Sequence, residues 1–217
     1  MSLTLYAHPL ASYCWKVLIG LYENAIPFDN VLVDLGDPAA REAFLKLSPM
    51  GKMPALRDDA RDETVVETSV ILDYLDAHYP GPVRFTPIAP DFAWRMRFWD
   101  RFFDNYVQTP MQKIIADRIR PEGANKDPYG VQEAYGQLAN ACDYLESQLA
   151  DGRTWMLGDF GLAECAAMPA LFYADKVQPL EGRWPDCLAY LERLKDRPSV
   201  QRVLAEAEPY FKLFPTA

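Results

Sequence analysis

No stretch of this 217-residue chain is long and apolar enough to suggest a membrane span. The best run, residues 166–174, is short and broken by Pro169. The first residues lack the basic start and long apolar core of a secretory signal, so a cytoplasmic location is expected. Histidine is scarce: His8 and His78 stand far apart with no clustered ligands, which argues against a structural or catalytic metal. The four cysteines (Cys14, Cys142, Cys165 and Cys187) contain no Cys-x-x-Cys pair. That disfavours a dithiol redox centre and reads as free thiols in a reducing compartment. Positive charge is also in deficit, with 22 Lys and Arg against 31 Asp and Glu, net −9; a general nucleic-acid surface would be basic. Internal repeats and low-complexity segments are missing as well.

What is present is a chain that is 50% hydrophobic, enough for a sizeable core in one or two domains. Its first part alternates two periodicities. Residues 3–6 read as a short strand ended by His8-Pro9, and Cys14, Val17, Leu18 and Leu21 recur at helical spacing from a start near Ser12. A second strand is expected over 28–33 and a helix over 38–47 with Pro38 in its first turn. A hairpin follows over 54–56 and 64–66, then a helix over 68–78. This βαβ-ββα order predicts a mixed sheet. Tyr79-Pro80-Gly81-Pro82 stops the last helix, and residues 80–89 read as a linker. Beyond it every periodic segment is helical. Trp94, Phe98, Phe102 and Tyr106 form one stripe, expected to be core on one side with a pocket wall as the alternative on the other, and residues 131–149 carry another. Further helices are expected over 162–177 and 188–194, and from Pro198.

The segment most suggestive of chemistry is Gly51-Lys52-Met53-Pro54-Ala55-Leu56 followed by Glu67-Thr68-Ser69. A proline has no amide hydrogen and suits a strand entry or edge. A cis Met53-Pro54 bond would turn the Met53 N–H and C=O outward, where an extended peptide could pair with them. Glu67-Thr68-Ser69 opens a helix whose unpaired first-turn N–H groups attract a carboxylate, while Glu67 can take an ammonium group. Together they point to a site for a short zwitterionic peptide.

These residues resemble the cytosolic glutathione transferases: a thioredoxin-like α+β first domain (1–79) joined through 80–89 to an all-helical second domain (90–217). Gly158-Asp159-Phe160-Gly161-Leu162-Ala163-Glu164-Cys165 is similar to the family's capping box. Ser12-Tyr13-Cys14-Trp15-Lys16-Val17 is similar to its serine-type branches, theta and zeta, and to bacterial relatives. The resemblance implies glutathione as co-substrate, a small hydrophobic electrophile, and a homodimer. It also implies that Ser12 stabilises the glutathione thiolate and that Met53, with cis Pro54, pairs with the cysteinyl main chain. Glu67 and Thr68 would hold the γ-glutamyl end and Lys52 the glycine carboxylate. Leu10, Tyr13, Trp99, Phe103 and Tyr106 would line the electrophile pocket.

The sequence departs from the serine-type pattern at Ala11, where the usual hydroxyl falls, so that Ser12 stands one residue late. It departs again at Gly161, where the capping box usually has serine or threonine. The same fold also serves isomerases, dehalogenases, peroxidases and non-catalytic binding proteins. Ser12 has a plainer reading as an N-cap, and Cys14, on the apolar face, reads as an inert buried thiol. Tyr6 is expected to pack, and His8 to serve the turn. The run Asp58-Asp59 with Asp62-Glu63 is expected in a solvated loop, and Arg95, Arg97, Asp100 and Arg101 on a solvated face.

Overall fold

The computed structural model describes residues 2–216; the outermost residues of the two expected domains, Met1 and Ala217, lie outside them. Strand β1 (Leu3–Ala7) leads into α1 (Ser12–Glu23), β2 (Asp29–Leu32) and α2 (Pro38–Leu47). Strands β3 (Ala55–Asp58) and β4 (Glu63–Val66) form the hairpin, followed by α3 (Thr68–His78). The sheet order is β2-β1-β3-β4, with β1 parallel to β2 and antiparallel to β3. This is the mixed βαβ-ββα sheet expected from the sequence. Its register pairs Leu5 with Asn30 on one side and Leu56 on the other, and Leu5 and Leu56 are fully buried.

The second half is helical: α4 (Pro90–Phe102), a π-helical turn (Phe103–Gln108), α5 (Thr109–Arg118), α6 (Pro128–Leu149), α7 (Leu162–Val177), α8 (Pro185–Lys195) and α9 (Pro198–Ala207), closed by a 3₁₀ turn over Glu208–Leu213. Pro38, Pro90, Pro128, Pro185 and Pro198 each open a helix, where the missing N–H costs nothing and the fixed φ suits the first turn. Helix α7 is buried along nearly its whole length and runs through Pro169, because packing on every side outweighs the lost backbone bond.

One apolar cluster runs from Leu3 to Ala207, so α1 and α7 share a core across the two halves. The connecting segment is pinned as well. The Asn24 side chain exchanges hydrogen bonds with the Val83 main chain (2.9 and 2.8 Å), and the Asp76 carboxylate accepts from the N–H groups of Phe85 and Thr86. Phe85 inserts fully into the core.

Three packing expectations are corrected here. In the aromatic stripe only Phe102 is core; Trp94, Phe98 and Tyr106 are 55%, 42% and 59% exposed. The buried residues of α4 are instead Met96, Trp99 and Asp100 together with Phe102, a face rotated away from the stripe. Asp100 is therefore buried rather than solvated. Asp58 ends β3 with its side chain buried, accepting from the hydroxyls of Tyr74 (2.8 Å) and Tyr79 (2.5 Å), so the exposed loop begins after it.

Gly161 is the N-cap of α7, and Glu164 accepts from its N–H at 2.8 Å. A Cβ at Gly161 would stand 2.7 Å from Met96 Cε and 3.0 Å from the Phe85 carbonyl oxygen. The serine or threonine usual in the family's capping box would need Met96 to swing aside and the Phe85 carbonyl to give by a few tenths of an ångström.

Candidate functional site

The turn after β1 builds the centre of the site. Leu10 N–H donates to His8 Nδ1 (3.1 Å), Ala11 N–H to the His8 carbonyl (2.9 Å), and the Trp15 indole to the Pro9 carbonyl (2.5 Å). Ala11 becomes the N-cap of α1, in extended conformation and without a side-chain cap. Ser12 and Tyr13 are the first helical residues, and their N–H groups have no intrahelical acceptor. They carry the positive end of the helix dipole. The Ser12 side chain is buried and accepts a hydrogen bond from Gln108 Nε2. Tyr13 contributes a phenol held in its protonated form: burial, and then the Asp104 carboxylate, push its pKa up. Cys14, the next residue, is completely buried, and burial pushes its thiol up to about 12.

A cleft of about 560 Å³ opens against this helix start, lined by Ala11, Ser12 and Tyr13, by the loop 48–54, and by Val66, Glu67 and Thr68. The loop is shaped by Ser48, whose hydroxyl donates to the Lys52 carbonyl (2.9 Å). Gly51 sits at φ +63, a left-handed conformation that favours glycine. The Met53-Pro54 bond is cis, and Met53 precedes the paired residues of β3. Across the cleft Glu67 adopts φ 70, ψ 117, a region costly for a non-glycine residue and found mostly at functional positions. It caps α3, and its carbonyl accepts from Ile71 N–H, so the N–H groups of residues 68–70 have no intrahelical acceptor. The structure thus gathers Ser12, Lys52, Met53, Pro54, Glu67 and Thr68 around one cavity.

A second, more apolar cleft of about 380 Å³ adjoins it. Its walls are Leu10, Met111, Ile115, Ile119, Tyr173 and Phe214; Ala11, Ser12, Lys52 and Gln112 line both clefts. The Tyr173 hydroxyl donates to the Leu10 carbonyl (2.9 Å), and its ring stacks on Phe214 at 5.6 Å. Trp99, Phe103 and Tyr106, expected on this wall, are elsewhere. Trp99 and Phe103 belong to the core, and Tyr106 faces solvent on the outer side of the helix. The wall is supplied further along, by Met111 and Ile115 of α5.

Beneath both clefts lies an ion cluster that sequence reasoning missed. Lys16 Nζ is buried 2.5 Å from Asp100, 2.8 Å from Asp104 and 3.1 Å from Ser69 Oγ. Ser69 donates to Asp100 (2.7 Å), and Arg101 bridges Asp100, Asp104 and Ser69. This ties the starts of α1 and α3 to α4. Asp104 itself is pushed up by burial, against the pull of Lys16. The signal was present: Asp100, Asp104 and Gln108 recur every four residues, opposite Ser12 and Lys16 with the same spacing.

Residues 5–83 match the family described as "Glutathione S-transferase, N-terminal domain", and residues 128–193 its C-terminal domain. The chain is 39% identical over 203 residues to Glutathione S-transferase DHAR3, chloroplastic, of Arabidopsis thaliana, covering 90% of this chain and 69% of that one. It is 24% identical to Glutathione S-transferase GstB of Escherichia coli K12, over 93% and 97% of the two chains. Among solved structures, a glutathione S-transferase from Methylobacillus flagellatus with GSH bound aligns with TM-score 0.85 at 24% identity, over 93% and 98%. One from Methylobacterium radiotolerans, in complex with glutathione sulfonate, aligns with TM-score 0.79 at 25% identity, over 99% and 95%. With both halves of the chain matched and the thioredoxin-like cleft in place, the protein belongs to the glutathione S-transferase family.

Proposed function

We propose that the larger cleft binds glutathione and that the adjoining apolar cleft presents a small hydrophobic electrophile to its sulfur. In this reading Glu67 takes the γ-glutamyl ammonium, and the N–H groups at the start of α3, Thr68 first, take the γ-glutamyl carboxylate. The main chain of Met53, beside Pro54, pairs with the cysteinyl residue, and Lys52 meets the glycine carboxylate. The sulfur then lies at the shared wall of the two clefts, against Ser12 and the N-terminal N–H groups of α1.

The observation that carries this reading is the position of Ser12, a hydroxyl at a helix N-terminus lining both cavities. A free thiol has a pKa of about 8.5; a hydroxyl donor and the helix dipole both favour the thiolate. The thiolate attacks the electrophilic carbon, an S–C bond forms, and the leaving group departs with its bonding pair. The thiol proton has already gone to solvent, so no protein base is required. Ser12 thus replaces the hydroxyl missing at Ala11 and makes this a serine-type member, akin to the theta and zeta branches. All four cysteines are buried, so the chain presents no thiol for a mixed disulfide with glutathione. That favours attack by glutathione itself over thiol–disulfide exchange.

Calorimetry with glutathione tests binding; no saturable heat between micromolar and millimolar concentrations would refute it. Thioether formation with a generic aryl halide then tests the chemistry, and Ser12→Ala is expected to lower its rate and raise the pKa of the bound thiol.

The exposed rings of Phe98, Tyr106 and Tyr144, packed around Phe102 on one outer face, support a homodimer through α4 and α6. Free thiols and a glutathione co-substrate fit the cytoplasm.

A further inference from the structure

We propose that Gln108 is a positioning residue for the thiolate: its side-chain amide, by donating to Ser12 Oγ, commits the Ser12 hydroxyl proton to the sulfur. The proposal rests on the reading that Ser12 contacts the sulfur.

A serine hydroxyl has one proton and two acceptor sites. In this structure Gln108 Nε2 occupies an acceptor site. The proton is left to donate elsewhere, and Ser12 lines the two clefts. An oxygen that is already accepting from an N–H is polarised and becomes a stronger O–H donor. The amide therefore orients the hydroxyl and strengthens it.

Two further observations single out Gln108. It is only 2% exposed, and its Oε1 has no partner among the described residues. A buried acceptor left unpaired is destabilising, and an apolar side chain of similar size would avoid it. The bond to Ser12 is the hydrogen bond this amide makes among the described residues. The backbone is also built to deliver it. Residues 90–118 form a continuous helical path, but Pro110 has no N–H to offer the preceding turn. The helix widens into a π turn over Phe103–Gln108, and the Asp104 carbonyl accepts from both Thr109 N–H and Thr109 Oγ1 (3.0 Å). In that wider register Asp104 meets Lys16 and Gln108 meets Ser12 on the same face of α1. The buried ion cluster fixes the register one turn away.

The test is the pKa of the protein-bound glutathione thiol, followed by ultraviolet thiolate absorbance in the parent, Ser12→Ala, Gln108→Leu and the double variant. Gln108→Leu is expected to raise that pKa by about half to one unit, three- to tenfold less thiolate at a fixed lower pH, with glutathione affinity changed less than about threefold. In the Ser12→Ala background the same substitution should add nothing, because its effect passes through Ser12. Gln108→Glu keeps size and polarity but turns the donor into an acceptor that captures the serine proton; it should raise the pKa further, and it carries the test if Gln108→Leu does not fold. An unchanged Ser12→Ala pKa would refute the Ser12 reading itself. A raised Ser12→Ala pKa with an unchanged or lowered Gln108→Leu pKa would refute this proposal alone, as would a Gln108 effect that persists without Ser12.

Discussion

Lys16 Nζ lies 2.8 Å from Asp104 Oδ2, with both side chains buried between α1 and the π turn that follows α4. The pair joins the half that carries the sheet to the helical half. Its arrangement with Asp100 and Ser69 leaves each charge a partner of opposite sign. Removing one member of such a pair is far more costly than never having built it, since the remaining charges stay buried without compensation.

Lys16→Met is therefore expected to lose about 3–5 kcal/mol of stability, leaving the buried Asp100 and Asp104 with only the half-exposed Arg101 as countercharge. Denaturant unfolding measures the loss. A change below about 1 kcal/mol would mean that the cluster is solvated in solution and holds nothing together.

Glu164 makes stability fall as pH rises. Burial holds its folded-state pKa at about 7, above its ordinary value of 4.5, against the pull of Met156 N–H, Gly161 N–H and the Tyr190 hydroxyl. The folded state therefore keeps a proton that the unfolded chain releases between pH 4.5 and 7. This contribution is fully present below 4.5 and is lost as pH approaches 7, a change of about 3 kcal/mol. Thermal melts across that range should slope downward in the parent and be flatter in Glu164→Gln; parallel curves would refute the assignment.

Glu67 should separate stability from binding. Its φ of 70 is a conformation that glycine adopts without strain. Glu67→Gly is expected to hold stability within about 1 kcal/mol, strain relief offsetting backbone entropy. Glutathione affinity should nonetheless fall about tenfold or more, from loss of a charge-assisted bond. Unchanged affinity by calorimetry would take Glu67 out of the site.

On the outer face, Phe98→Arg is expected to convert a dimer to a monomer. Sedimentation velocity at micromolar concentration reads this directly. A parent protein that sediments as a monomer would exclude the interface outright.

Much of this protein could be read along the chain. Strand and helix periodicity, prolines at helix starts and the Met53-Pro54 and Glu67-Thr68 segments depend on neighbours a few residues away. The sequence yields these elements, and the cleft residues that follow from them, directly. The aromatic stripe on α4 could not be read this way, because spacing identifies a face but not what that face meets. Trp94, Phe98 and Tyr106 lie outward while Met96 and Trp99 lie inward.

The sequence by itself determined the order of elements, the mixed sheet and the strand entry at Met53-Pro54, since each follows from local backbone chemistry. The tertiary structure alone decided which distant groups meet: Ser12 with Gln108, Lys16 with Asp104, Leu10 with Tyr173. Those pairs are separated by 96, 88 and 163 residues, and only the packing of α1 against the helices of the second half brings them within bonding distance.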